Sequence, residues 1–197
     1  MKKMLLFFVL SIWCLCLLAA GPFGIEMGQS LETLKTNGLN PTQINNQGYY
    51  YVSPKATHPD FEKYILRLDE DEGVFWIKAI GSDISDSGYG FTIKSKFNEI
   101  ESSLQKTYGT GKLLDYLFPK SIWNEPEDWM MGIVKNERFY LRTWESLNGK
   151  AFPGNIESLG LGVLASSSSK GYIFLEYSGM NKKRLEQKIK DKASQVF

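Results

Sequence analysis

The pattern of apolar and polar positions divides the chain into a leader and one folded domain. From Met4 to Leu18 every residue is apolar except Ser11, with Lys2 and Lys3 before the run and the small residues Ala19, Ala20 and Gly21 after it. A positive start, an apolar middle and a small-residue cleavage point describe a secretory leader, so residues 1–20 are expected to be a signal peptide cut after Ala20. An uncleaved anchor is the alternative, but the run is short for a span of about 20 residues. Beyond the leader the period changes repeatedly. Ser30 is placed to cap a short helix through Asn37, with Leu31 and Leu34 inward and Gly38 as the stop. The turn residues Asn45 to Gly48 lead into an extended Tyr49–Val52, and a hairpin is expected from Tyr64–Leu68 and Val74–Ile80 around the acidic turn 69–73.

Phe97, Ile100, Leu104 and Tyr108 recur at spacings of three and four and end at Gly109, the strongest helical stripe in the chain. Asn124 and Glu127 have the spacing of a capping box, predicting a helix from Glu125 to about Lys135 with Trp129 and Ile133 inward. Arg138–Trp144 reads as a strand with Phe139, Leu141 and Thr143 on one face. Ile156–Ala165 and Tyr172–Tyr177 read as two more, joined by a serine loop. Asn181 is expected to cap a last helix carrying Leu185, Ile189 and Val196 on one side. Some six strands with helices set between them predict an α+β fold: an antiparallel sheet with helices packed on one face, in a single domain over residues 21–197.

Gly24-Ile25-Glu26-Met27, followed by Leu31 and Leu34, aligns without gaps to Gly90-Phe91-Thr92-Ile93, followed by Phe97 and Ile100. This predicts a strand–helix unit used twice. The stretch Met27-Gly28-Gln29-Ser30-Leu31-Glu32-Thr33-Leu34 resembles the opening motif of small envelope proteins of the SmpA/OmlA outer-membrane-assembly type, and the doubled arrangement resembles β-lactamase inhibitor proteins. The resemblance implies a helix pair on a small antiparallel sheet and a protein-binding role. It covers about 11 residues at each of two places and carries over no site residues. The lipobox of the first family and the disulfides of the second are absent.

Composition narrows the chemistry. Cys14 and Cys16 are the only cysteines and leave with the leader, so the mature domain, exported to the periplasm or beyond, must be held by packing alone. About 177 residues suffice for one core. Without Lys2 and Lys3 the 23 basic residues fall to 21 against 22 acidic ones, which offers no basic field for nucleic acid. Membrane contact is expected only through a retained leader. The basic face of the last helix, Lys182 to Lys192, reads as solvated.

His58 is the single histidine, which excludes Cys–His sites and Cys/His metal clusters; no serine stands in a Gly-x-Ser-x-Gly turn to partner it. Asp69–Gly73 and Asp83–Gly88 alternate oxygen donors as calcium loops do, but their twelfth positions are Ile80 and Lys94 rather than glutamate. Gly160-Leu161-Gly162 lies within a strand pattern and marks a close approach of another element, not a dinucleotide site. No cofactor is expected. The favoured reading is a non-enzymatic protein-binding module, envelope-associated, inhibitor-like or immunity-like, with Tyr49, Tyr51 and Trp123 as its aromatic contact residues. A small hydrolase using the carboxylates of Glu125, Glu127 and Asp128 is the rival, and a glycan-binding module using the tyrosines is a third.

Overall fold

The structure, a computed structural model, describes residues 21–147 and 149–194. The expected leader with its two cysteines and the last apolar position, Val196, lie outside the described residues. The fold is α+β. Four helices, α1 (Leu31–Thr36), α2 (Phe91–Tyr108), α3 (Trp129–Val134) and α4 (Lys182–Ser194), accompany nine strands in one antiparallel sheet. In chain order the strands are β1 (Thr42–Gln43), β2 (Tyr49–Val52), β3 (Phe61–Asp69), β4 (Gly73–Gly81), β5 (Ile84–Ser85), β6 (Lys112–Leu117), β7 (Arg138–Glu145), β8 (Ile156–Ser167) and β9 (Lys170–Gly179). No described helix is long and apolar enough to cross a membrane.

Across the sheet the order is β1-β2-β3-β4-β9-β8-β7-β6, with β5 as a short addition to β9. Each half is therefore a helix followed by a four-stranded meander: α1 before β1 to β4, α2 before β6 to β9. The two meanders join through their last strands, where Ile77 faces Tyr177 and Ala79 faces Leu175. The expected doubling is present at this level, with different local detail. Residues 25 and 26 lie outside regular structure, and Phe91 to Ile93 are already helical rather than extended. The cause is Asp86, whose Oδ2 accepts the Ile93 N–H at 2.7 Å and so starts α2 a full turn and more before Phe97.

Two other expected caps differ as well. Ser30 does cap α1, accepting the Thr33 N–H at 3.1 Å. Asn124 caps nothing: the chain enters a short 3-10 turn at Pro126–Asp128 with no side-chain cap, and α3 begins only at Trp129. Asn181 turns away from α4, and its Nδ2 donates to the Glu72 and Val74 carbonyls at 2.7 and 3.1 Å. It ties the end of β9 to the β3–β4 turn instead.

Strand alternation sends Tyr64, Leu66, Ile77, Ala79, Leu159, Leu161, Val163, Ile173, Leu175 and Tyr177 to one face. These are all buried, and Leu34 of α1, Ile93, Phe97 and Ile100 of α2, and Trp129 and Ile133 of α3 pack on them in one core. Phe97 is fully buried against Tyr140, with ring centroids 4.8 Å apart, and a ring taken wholly out of water contributes about 2–3 kcal/mol. A charge is buried there too: Glu101 of α2 lies 2.8 Å from the Arg142 guanidinium, which also donates to the Gly111 carbonyl. The Trp129 ring rests on Gly90, where a Cβ would come within 2.3 Å of it.

α4 is held differently. Leu185 is buried with Phe75 outside the main core, and Arg184 and Lys188 reach Glu72 while Lys188 also reaches Asp71. The hydrogen bond from Lys188 lowers the Glu72 carboxyl below its ordinary value, and Arg184 adds to this against a desolvation effect of opposite sign.

Two outcomes follow for the fold. Gly90→Ala combines a left-handed φ of 69° with the clash on Trp129, so it should lower stability by about 2 kcal/mol or more, a fall in Tm of roughly 4–8 °C; an unchanged melting curve would contradict this packing. Because the folded Glu72 pKa is depressed, its help to α4 is complete above the ordinary carboxylate range and lost as pH falls below it. Amide exchange in α4 should therefore quicken at acid pH before that of β8 and β9, and Glu72→Gln should remove the difference.

Candidate interaction face

The side of the sheet opposite the core is where exposed apolar side chains collect. α1, α2 and α3 pack Leu34, Ile93, Phe97, Ile100, Trp129 and Ile133 into the core, Phe91 at the start of α2 staying exposed, and this leaves the other face without their cover. Of the described side chains of α4, Lys182 reaches Ser178 on this face and Leu185 shares a pocket with Phe75. The alternation of β6 and β7 places Leu114 opposite Leu141 and Tyr116 opposite Phe139 on this face. Phe118 continues it just past β6, with its ring 5.7 Å from Tyr116 and 5.6 Å from Phe139. Leu114, Tyr116, Phe118 and Phe139 are each 39–44% exposed. Four large apolar side chains in contact at that exposure form a patch of the kind that marks interaction sites.

Toward the middle of the sheet the same face becomes a groove. Gly160 and Gly162 of β8 lack side chains, and the far end of the Phe174 ring comes up against Gly162, where a Cβ would sit 2.4 Å from it. A furrow of about 280 Å³ runs beside it between Leu141 and Thr143 on one side and Phe174 and Glu176 on the other. Behind these two residues, Lys78 of β4 pairs with Glu176 at 2.6 Å and stands 4.3 Å over the Phe174 ring. The expected close approach is met at Gly162, by an aromatic ring from the neighbouring strand; at Gly160 no side chain comes close.

The three residues chosen from the sequence are not brought together. Tyr49 and Tyr51 are on this same face but on β2, six strands from β6, or about 29 Å at the usual strand spacing. Tyr51 is 50% exposed, whereas Tyr49 lies under the Arg67 guanidinium at 4.6 Å and against Trp76. Trp123 is half-buried in the loop after β6, beyond the strands. Leu114, Tyr116 and Phe118 were missed because Leu113 to Phe118 is apolar on both faces and shows no single-sided alternation. The usable signal was Phe139 and Leu141, already aligned on one face of β7: a strand whose apolar row is not the core row.

A larger cleft, about 760 Å³, opens where α2 ends, lined by Tyr108, Lys112, Trp144, Glu145, Lys150 and Phe152 among others. Trp144 is fixed in its wall by an indole N–H bond to the Gly109 carbonyl at 2.7 Å. Burial raises the Tyr108 hydroxyl above the ordinary tyrosine value, with a hydrogen bond to Tyr177 acting the other way, so it stays protonated at neutral pH. Glu145 is the one carboxylate in the lining, whereas glycoside hydrolysis requires two across the bond. Glu125, Glu127 and Asp128 lie elsewhere, at the 3-10 turn before α3. The His58 Nδ1 accepts the Asp60 N–H within its own turn, and Asp69 Oδ1 accepts the Asp71 and Glu72 N–H groups in the hairpin turn. Among the described residues no three His, Cys, Asp or Glu side chains gather as metal ligands would.

Comparison with protein-family models, with curated proteins and with solved structures finds no match to this chain.

The exposed patch has a direct check. Leu114→Ser with Phe139→Ser should cut the binding of an apolar fluorescent dye by the native protein while the melting temperature stays within about 2 °C, the range of surface substitutions. Unchanged dye binding would show that the patch is covered.

Proposed function

We propose that the chain, freed of its leader, acts outside the cytosol as a non-enzymatic module that binds another protein through the open face of its sheet. The observation that carries this reading is the patch of Leu114, Tyr116, Phe118 and Phe139, four large apolar side chains left exposed together on the face of the sheet opposite the core, whereas Ile122 and Leu147 stand exposed elsewhere and Tyr89 stacks with Phe91 alone. Aromatic and aliphatic side chains on a rigid strand surface lose little entropy on binding, which suits them to protein partners. Export is supported by the apolar run Met4–Leu18 behind Lys2 and Lys3, and the resemblance to envelope and inhibitor proteins points to the same class of activity.

The test uses the living envelope. A photo-crosslinking residue placed at Phe139 should yield a discrete adduct with a second protein, and the same residue at Glu99, on the exposed side of α2, should not. Phe118→Lys with Phe139→Lys should abolish the adduct with the fold intact by circular dichroism. Equal labelling from both positions, or an adduct that survives the lysines, would remove the reading.

A further inference from the structure

The sheet has two edges, and they are unlike. One ends in β1, two exposed polar residues following Pro41, too short to pair further. The other ends in β6, six residues with no proline and no bulge, which among the described residues pairs only with β7. Natural edges of this length are normally blocked. Here Leu113, Leu114 and Tyr116 are each 41–42% exposed on both faces of the free strand. We propose that β6 pairs with β6 of a second copy of this chain, antiparallel about a twofold axis through Asp115, and joins the two sheets edge to edge.

The backbone fixes which groups are available. Phe118 N–H donates to the Glu137 carbonyl, one step beyond the pairing of Leu117 with Arg138. In an antiparallel ladder every second residue points both polar groups at its neighbour. Lys112, Leu114 and Tyr116 therefore bond to β7, and the N–H and C=O groups of Leu113, Asp115 and Leu117 face outward. Only an extended backbone can satisfy such a row.

The side chains then select the occupant. With Asp115 on the axis, Leu113 faces the partner copy's Leu117 and Leu114 faces its Tyr116, each twice by symmetry. Lys112 faces its Phe118, a cation beside an aromatic ring. All three outward pairs of N–H and C=O groups are used. Shifting the register two residues one way places Leu113 against Asp115, and two residues the other way brings in Pro119, which has no N–H to give. The unfavourable opposition is Asp115 against its own mate. Arg138 lies 2.6 Å from each of those carboxylates and neutralises it, and hydrogen-bonded positions hold side chains further apart than the others. Pairing sets Leu114, Tyr116 and Phe118 edge to edge with their mates and leaves Phe139 on β7 outside the seam, so the inference stands apart from the identity of any other partner. A six-residue seam is small beside a standard interface of about 1,600 Å², so association is concentration-dependent.

The experiment uses the full chain with Cys14→Ser and Cys16→Ser, isolated as its host processes it. Its mass by light scattering should rise from monomer to dimer with concentration. Leu114→Cys with Tyr116→Cys should give a disulfide-linked dimer on mild oxidation, because those positions oppose one another at about 4.5 Å between Cα atoms, within disulfide reach; each single cysteine should not. Leu113→Pro removes one outward N–H, and Leu114→Lys with Tyr116→Lys crowds four charges at the seam; each should weaken dimerisation by roughly tenfold or more. The lysine pair keeps the test open if the proline variant fails to fold. A monomeric mass at every concentration, or a dimer indifferent to both variants, overturns the inference.

Discussion

The structure depends on the antiparallel pairing of β4 with β9. Each meander alone would be a four-stranded sheet with one short helix or two to cover it, a marginal unit by size. Joined at that seam they form one sheet, and Ile77, Tyr177, Ala79 and Leu175 lie at the centre of a single core under α2 and α3. On the reverse side of the same seam Lys78 pairs with Glu176, a cross-strand ion pair that favours this register by about 0.2–1 kcal/mol. The seam thus separates two environments: an apolar face that three helices close, and a mixed face that they leave open. With no cysteine after residue 16, packing across that seam and its covering helices is what stabilises the domain.

Long elements were legible in the sequence and short-range detail was not. The hairpin of β3 and β4 declares itself by two apolar and aromatic runs about an acidic turn, and the stripe Phe97, Ile100 and Leu104 by an apolar face opposite a polar one over two turns or more. β6 did not, since Leu113 to Leu117 carries apolar side chains on both faces; that property makes it unreadable as a pattern and leaves it exposed as an edge. The caps failed where a tertiary partner outbid a local one. Asp86 reaches seven residues along the chain to Ile93, and Asn181 finds backbone carbonyls of the β3–β4 turn, more than 100 residues away in sequence. Spacing rules for caps see neither. At the interaction face, aromatic residue type led to Tyr49, Tyr51 and Trp123, whereas exposure is decided by which row of a strand faces the helices. That row is fixed by register, and register by long-range pairing.

The proposed role uses the surface of the sheet rather than a deep site. The furrow over Gly160 lies on strands fixed by neighbours on both sides, and the patch at Phe139 spans β7 and the edge strand β6 paired to it, so the proposed partner would meet a surface already largely in its bound shape. The larger cleft at the end of α2 offers aromatic walls, the Glu145 carboxylate and a protonated Tyr108.

The central claim is that one face of the sheet is closed and the other open. Hydroxyl-radical footprinting of side chains measures this directly in the isolated protein. Tyr116, Phe118 and Phe139 should oxidise at rates typical of exposed rings, while Phe97, Trp129 and Tyr177 stay protected until the fold is lost. Protection of Phe139 and Tyr116 equal to that of Phe97 would mean that both faces are covered, and would contradict the account.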